Sequence, residues 1–176
     1  MITTNNGELA EKIHLLINHG QSGKYHHVSL GYNYRMTEIC AAIGRVQLGK
    51  LEGFNKEREE NAKILTAGIR KIRGLTPPYV AKQIKHVFYQ YAIRAENEFR
   101  LNRDELADHL QKKGIGAAVH YPMPIYKQPL YQALGYMKTV CPNTEDACAH
   151  ILSLPVHPAV TKKELAYVIK VLKEAA

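Results

Sequence analysis

Apolar residues recur at helical spacing early in the chain. Leu9, Ile13, Leu16 and Ile17 fall on one face, so a helix is predicted there. Asn6 is suited to cap it, Glu8 and Glu11 complement its positive end, and Asn18-His19-Gly20 supplies the stop. Ahead of it, Met1-Ile2-Thr3-Thr4 is short, β-branched and strand-like. From Gly20 to Arg35 the periodicity lapses and Gly, Tyr and His accumulate, which predicts an ordered loop long enough to carry function. Thr37 can cap the next helix, with Glu38 in its first turn. Ile39, Ile43, Val46, Ile64, Leu65, Ile69 and Ile72 then hold a helical period to about Arg73, a span on the order of 50 Å if unbroken. Gly44, Gly49 and Gly53 mark either a bend in it or a face where another helix or chain comes close.

Residues 74–83, GLTPPYVAKQ, form the best linker in the sequence, because two prolines end the helix and favour extended chain. The chain is therefore divided into 1–73 and 74–176. Beyond the linker, residues 86–95 (HVFYQYAIRA) are aromatic and β-branched and read as a buried strand. Asn102 and Glu105 make a capping box, Leu101 and Leu106 its hydrophobic staple, and Gly114 the stop of that helix. Further strands are predicted at 117–121 and 151–156. Thr161 with Glu164, and Val160 with Leu165, repeat the box and staple ahead of a last helix whose buried stripe is Leu165, Val168, Ile169 and Leu172. The pattern is α/β and α+β: a helical first part with one long helix, then a small α+β domain.

Composition narrows the function classes. With 45% hydrophobic and 23% charged residues over 176 positions, the chain can bury a real core. No apolar run approaches the roughly 18 residues of a membrane helix, and residues 1–12 carry no signal-peptide pattern, so no membrane and a cytoplasmic setting are expected. Cys40, Cys141 and Cys148 are an odd number, widely spaced, and read as reduced packing residues. The net charge of +8 raises the question of nucleic acid. Its bases, however, alternate with acids, as in KEREENAK at 56–63, and no aromatic-basic platform accompanies them, so no nucleic-acid partner is expected.

Five short motifs carry possible chemistry. GQSGK at 20–24 is too short for a phosphate loop and has Tyr25 where Ser or Thr would hold magnesium, so an irregular loop is expected. GIGAA at 114–118 leaves a helix for a strand, the reverse of a dinucleotide fingerprint. His26 and His27 are adjacent, without partner ligands at metal spacing. In VHYPMP, 119–124, a strand carries His120 out through two prolines that stiffen the exit. His120 is thus either a ligand-facing hydrogen-bonding group or a structural one, and Tyr121, Tyr126, Tyr131 and Tyr136 either line a polar ring or simply pack. In GYNYRMTE, 31–38, Asn33 and Arg35 stand beside a helix N-terminus. They either bind an anion, or Arg35 pairs with a carboxylate inside the fold while Asn33 makes a turn.

In order along the chain, MITTNNGELAEKI, the NHG loop, GYNYRMTEICAAIGRVQL, HVFYQYAIR, KKGIGAAVHYPMPIYKQPLY and LSLPVHP resemble the C-terminal half of the DegT/DnrJ/StrS family. These are pyridoxal-phosphate-dependent aminotransferases of nucleotide-linked keto-sugars, and the resemblance covers essentially all 176 residues. It implies the C-terminal part of an aspartate-aminotransferase-like (PLP transferase type I) fold. Residues 1–73 would be the trailing part of the PLP-binding large domain with a long interdomain helix, and 74–176 the small domain. It also implies a homodimer with shared active sites, pyridoxal 5'-phosphate as cofactor, and a nucleotide sugar and an amino-acid donor, often glutamate, as substrates. By position, Asn33 matches the asparagine that reaches the phosphate of the partner subunit's cofactor, and His120 the histidine near substrate, with Tyr121 beside it. The loop from Gly20 to Tyr32 matches the segment approaching the neighbouring site, and Arg35 is expected to be structural. Tyr126, where many relatives have histidine, is a departure that bears on sugar specificity.

The family's chemistry also needs a Schiff-base lysine and a carboxylate paired with the pyridinium nitrogen. Both belong to the part of the fold that would precede Met1, and no lysine here has that setting. The expectation is a trailing half, whether fragment, truncated product or cut piece. It would be inactive alone, with no catalytic residue of its own, and its uncovered apolar surface would favour dimerisation. The alternative is a non-catalytic interaction or regulatory module with the same fold.

Overall fold

Asn6 accepts a hydrogen bond at Oδ1 from the Leu9 amide (3.0 Å) and so closes the N-terminal end of α1, Gly7–Ile17. The computed structural model describes residues 2–176, and these form two compact units, one up to Lys50 and one from Leu51 to Ala176, with the boundary inside a helix. In the first unit, α1 ends where His19 and Gly20 take left-handed backbone angles, φ 56° and 67°. Residues 2–4 belong to no strand: no neighbouring segment offers them a ladder among the described residues, and Met1 lies outside those residues. The predicted loop contains a small antiparallel hairpin, β1 (Gln21–Gly23) with β2 (His26–His27).

Thr37 Oγ1 accepts from the Cys40 amide and starts α2, Glu38–Ile69, a single uninterrupted helix of 32 residues. Gly44, Gly49 and Gly53 neither break it nor meet a neighbour: nothing among the described residues comes within 4 Å of a Cβ built on any of them. The first unit leaves apolar side chains in solvent, among them Leu9 and Leu16 of α1 and Ile39, Ile43, Val46 and Leu48 of α2.

The second unit holds the core. A three-stranded antiparallel sheet runs in the order β3 (Leu75–Thr76), β4 (Tyr91–Ala95), β5 (Ile151–Leu154), with Leu75 opposite Ala95 and Tyr91 opposite Leu154. Tyr91, Ile93 and Ala95 alternate inward along β4. They meet Leu65 and Ile69 from α2, Leu106 and Leu110 from α3 (Arg103–Lys112), and Leu165 and Leu172 from α6 (Lys162–Glu174). Each of these large buried side chains contributes about 1.5–3 kcal/mol. Both predicted capping boxes form, at Asn102/Glu105 and Thr161/Glu164. Ile169 is only partly buried, and Val171 takes the fourth place in the stripe.

Three predicted strands are shorter than their sequences suggest, and of these 151–156 stops at Leu154, before Pro155, which has no amide hydrogen to give a ladder. Residues 86–90 are not in the sheet, because β3 offers only two residues for pairing and Phe88 turns the chain with φ 47°. Residues 117–121 reduce to a single bridge between Ala118 and Ser153. Two short helices, α4 (Pro129–Ala133) and α5 (Pro142–His150), complete the unit. Arg103 is buried and donates from Nη1 to the Cys148 carbonyl (2.8 Å), tying α3 to the last turn of α5.

Candidate functional site

The segment YNYR is held extended against the end of α1. Tyr32 N donates to Leu16 O (2.7 Å), His19 N to Tyr32 O (2.9 Å) and Tyr34 N to Ile17 O (3.0 Å), and Asn18 and Asn33 form a bridge. The approach is close enough to need glycine on both sides: a Cβ on Gly31 would lie 2.0 Å from Gly20 N, and one on Gly20 1.7 Å from Ser29 O. Extended chain alternates its side chains. Tyr32 and Tyr34 stack on each other, centroids 5.1 Å apart and 13° from parallel. Asn33 and Arg35 share the alternate positions, where Arg35 Nε donates to Asn33 Oδ1 at 3.2 Å.

That bond defines what the pair can do. With its carbonyl oxygen engaged, Asn33 keeps both amide N–H groups free among the described residues, and Arg35 keeps its terminal nitrogens. Arg35 is exposed and pairs with no carboxylate among the described residues, contrary to the reading that buried it against one inside the fold. The result is a donor-only face beside the N-terminus of α2, which suits an oxyanion such as a phosphate. Arg35 and Tyr34 also edge an open apolar cleft of about 820 Å³ that includes Ile13, Ile17 and Met36. The preceding hairpin is pinned through His27, whose Nδ1 lies 2.8 Å from the His19 carbonyl and must carry the proton there.

His120 and Tyr121 lie in the other unit. The Ala118–Ser153 bridge (2.8 and 3.1 Å) and the half-buried Val119 fix the chain just before them. Both then project into solvent, with rings 6.1 Å apart and nearly perpendicular. The His120 ring has no hydrogen-bond partner among the described residues, so both nitrogens are available to a ligand. The four tyrosines expected around this segment do not act alike. Tyr126 is buried, donates to Glu145 Oε1 (2.6 Å) and accepts from Cys141 N (3.1 Å). Burial, followed by the Glu145 carboxylate, pushes its phenol up from the ordinary value. Lys127 binds the other Glu145 oxygen at 2.7 Å, so the group is a clamp on α5. Tyr131 and Tyr136 meet edge to face at 5.9 Å. The Tyr126–Glu145 link spans 19 positions and leaves no mark in local sequence.

The mixed helix and sheet, with the long helix leading to a small α+β unit, has the architecture of the C-terminal part of an aspartate-aminotransferase-like fold. The model of the DegT/DnrJ/EryC1/StrS aminotransferase family matches residues 1–173, and the chain belongs to that family. It is 38% identical over 99% of its length to the "Pleiotropic regulatory protein" of Geobacillus stearothermophilus, covering 46% of that protein. It is 31% identical over 99% of its length to the dTDP-3-amino-3,4,6-trideoxy-alpha-D-glucose transaminase of Streptomyces venezuelae, covering 45% of it. Among solved structures it is similar to S. venezuelae DesV in complex with a ketimine intermediate, with a TM-score of 0.89 and 31% identity, over 98% of this chain and 45% of that one. The chain thus spans about half the length of the relatives it matches.

Proposed function

We propose that these residues are the C-terminal region of a pyridoxal-phosphate-dependent aminotransferase that moves an amino group from an amino acid, glutamate foremost, to the ketone of a nucleotide-linked sugar. The observation that carries this reading is the donor face of Asn33 and Arg35, whose free N–H groups fit the phosphate of the cofactor. Residues 1–73 would form the trailing part of the cofactor-binding domain with its long helix, and 74–176 the small domain.

Pyridoxal phosphate, when bound, supplies the electron sink that amino transfer requires. The chain's own part is to bind and orient. Asn33 would donate to the phosphate held by the partner subunit of a homodimer, and the exposed apolar residues of α1 and α2 support such an association. His120 would give or take a hydrogen bond at the sugar, with the Tyr121 ring beside it as an apolar surface. The lysine that holds the cofactor is proposed to come from outside these 176 residues, so the chain alone would be inactive. A cytoplasmic setting goes with nucleotide-sugar chemistry. No helix among the described residues is long and apolar enough to cross a membrane.

The test is to express the whole reading frame that contains these residues and assay it with pyridoxal phosphate, glutamate and nucleotide-linked 3-keto- and 4-keto-sugars. The expected readout is 2-oxoglutarate formed in step with an amino sugar. No amino transfer from glutamate or any other amino acid would overturn the proposal. A second reading, a regulatory module without chemistry, draws on the name of the Geobacillus stearothermophilus relative. Partner binding by a protein that fails this assay would favour it.

A further inference from the structure

Within the second unit, α2 and the chain around Pro78 enclose a cleft of about 420 Å³ that plays no part in the proposed amino transfer. Its wall carries Lys63, Thr66 and Ala67 of α2, which recur at helical spacing on one face, and Arg70 in the turn just past the end of that helix. Opposite stand Val80 and Phe88, with Tyr79 at the rim, a residue 89% exposed. Thr66 spends its hydroxyl on the Tyr91 phenol (2.7 Å), which leaves the centre of the wall apolar. Lys63 and Arg70 flank that centre, and like most cations of this unit neither pairs with a carboxylate among the described residues. No acidic side chain lines the cleft. The volume lies within the range of small-molecule sites, and an apolar centre between two unpaired cations complements an occupant with an apolar body and negative charge.

We propose that this cleft binds a small ligand that joins a flat apolar ring to an oxyanion. The ring rests on Ala67, Val80 and Phe88 with Tyr79 folding over it, and Arg70 and Lys63 take the phosphate or carboxylate. Arg70 is the stronger partner, because its planar fork matches an oxyanion with two parallel donors. Burial raises the Tyr91 phenol behind this wall, and the Thr66 hydrogen bond, then the charge of the nearby Arg70, offset part of that rise.

The experiment titrates the ¹⁵N-labelled, deuterated protein from the whole reading frame, already saturated with pyridoxal phosphate, with phenyl phosphate and follows its amide resonances. The proposal expects saturable shifts centred on Ala67, Tyr79 and Val80, with inorganic phosphate and phenol each binding at least about tenfold more weakly. The double variant Lys63→Gln/Arg70→Gln, with a spectrum otherwise superposable on the parent, is expected to weaken phenyl phosphate binding at least about tenfold. Single-site Asn33→Ala should leave that binding unchanged, which separates this cleft from the proposed cofactor contact. Non-saturable shifts, shifts centred elsewhere, or equal affinity in parent and double variant would each overturn the proposal. None of these outcomes bears on the amino-transfer assay.

Discussion

Arg35 Nε donates to Asn33 Oδ1 at 3.2 Å, and this one bond turns the Asn33 amide so that its N–H groups face outward. An aspartate at position 33 would keep the bond to Arg35 but lose the outward donor and add a negative charge. Asn33→Asp is therefore expected to leave folding nearly untouched, since the residue is exposed, with a change within about 0.5 kcal/mol. In the dimeric protein from the whole reading frame it should lower pyridoxal phosphate affinity by about 1.5–3 kcal/mol, the range for a hydrogen bond to a charged group. Equilibrium dialysis measures this, and unchanged affinity would remove Asn33 from the proposed site.

The last helix depends on its cap. Thr161 Oγ1 accepts from the Glu164 amide, while Glu164 Oε2 accepts from the Thr161 amide at 2.7 Å. Thr161→Ala breaks one half of this exchange and should cost about 1 kcal/mol. In a chain of this size that corresponds to a fall in Tm of roughly 2–4 °C, followed by circular dichroism. Thr161→Ser, which keeps the oxygen, should recover most of it.

Acid sensitivity centres on Arg94. Its guanidinium binds Glu96 at 2.8 Å and Asp146 of α5 at 2.7 Å, and these hydrogen bonds are the main reason both carboxyls sit below their ordinary values. Folded values below the unfolded ones mean that the stabilisation is complete above the usual carboxylate range, near about pH 4, and is lost as pH falls through the depressed values. Tm is thus expected to drop on acidification from about pH 5 toward pH 3, and Arg94→Gln to flatten that drop. A calorimetric series in which parent and variant lose Tm in parallel would contradict this role.

Local rules carried much of the fold. Both capping boxes and the Asn6 cap are legible because each is a bargain among residues three positions apart. Strand extents were not, since a strand ends where its partner ends: the aromatic run 86–90 has the composition of a strand but no neighbour to pair with. The same contrast runs through the site. The residue types of GYNYRMTE single out Asn33 and Arg35 as a possible anion site, whereas their pairing with each other, the burial of Tyr126 against Glu145 and the exposure of Arg35 depend on the folded chain.

Glycine in α2 gives the sharpest case of sequence and structure diverging. Gly44, Gly49 and Gly53 suggest a bend or a face where another helix or chain comes close. Among the described residues they meet no neighbour and the helix is unbroken. The close approach of another helix occurs at Gly68, where a Cβ would lie 2.6–2.8 Å from three side-chain carbons of Ile169 on α6. Alanine at a helix interior normally gains about 1 kcal/mol over glycine. Here overpacking opposes that gain at a typical cost of about 1–3 kcal/mol, so Gly68→Ala is expected to be neutral to destabilising by up to about 2 kcal/mol. Gly49→Ala, with open space around it, should stabilise by up to about 1 kcal/mol. The contact itself is tested by coupling. Ile169→Ala should cost less in the Gly68→Ala background than in the parent, by about 0.5–3 kcal/mol, because the truncation removes the clash along with the packing. Urea unfolding of the four proteins closes that cycle, and additive effects would mean that α2 and α6 relax apart at this point without strain.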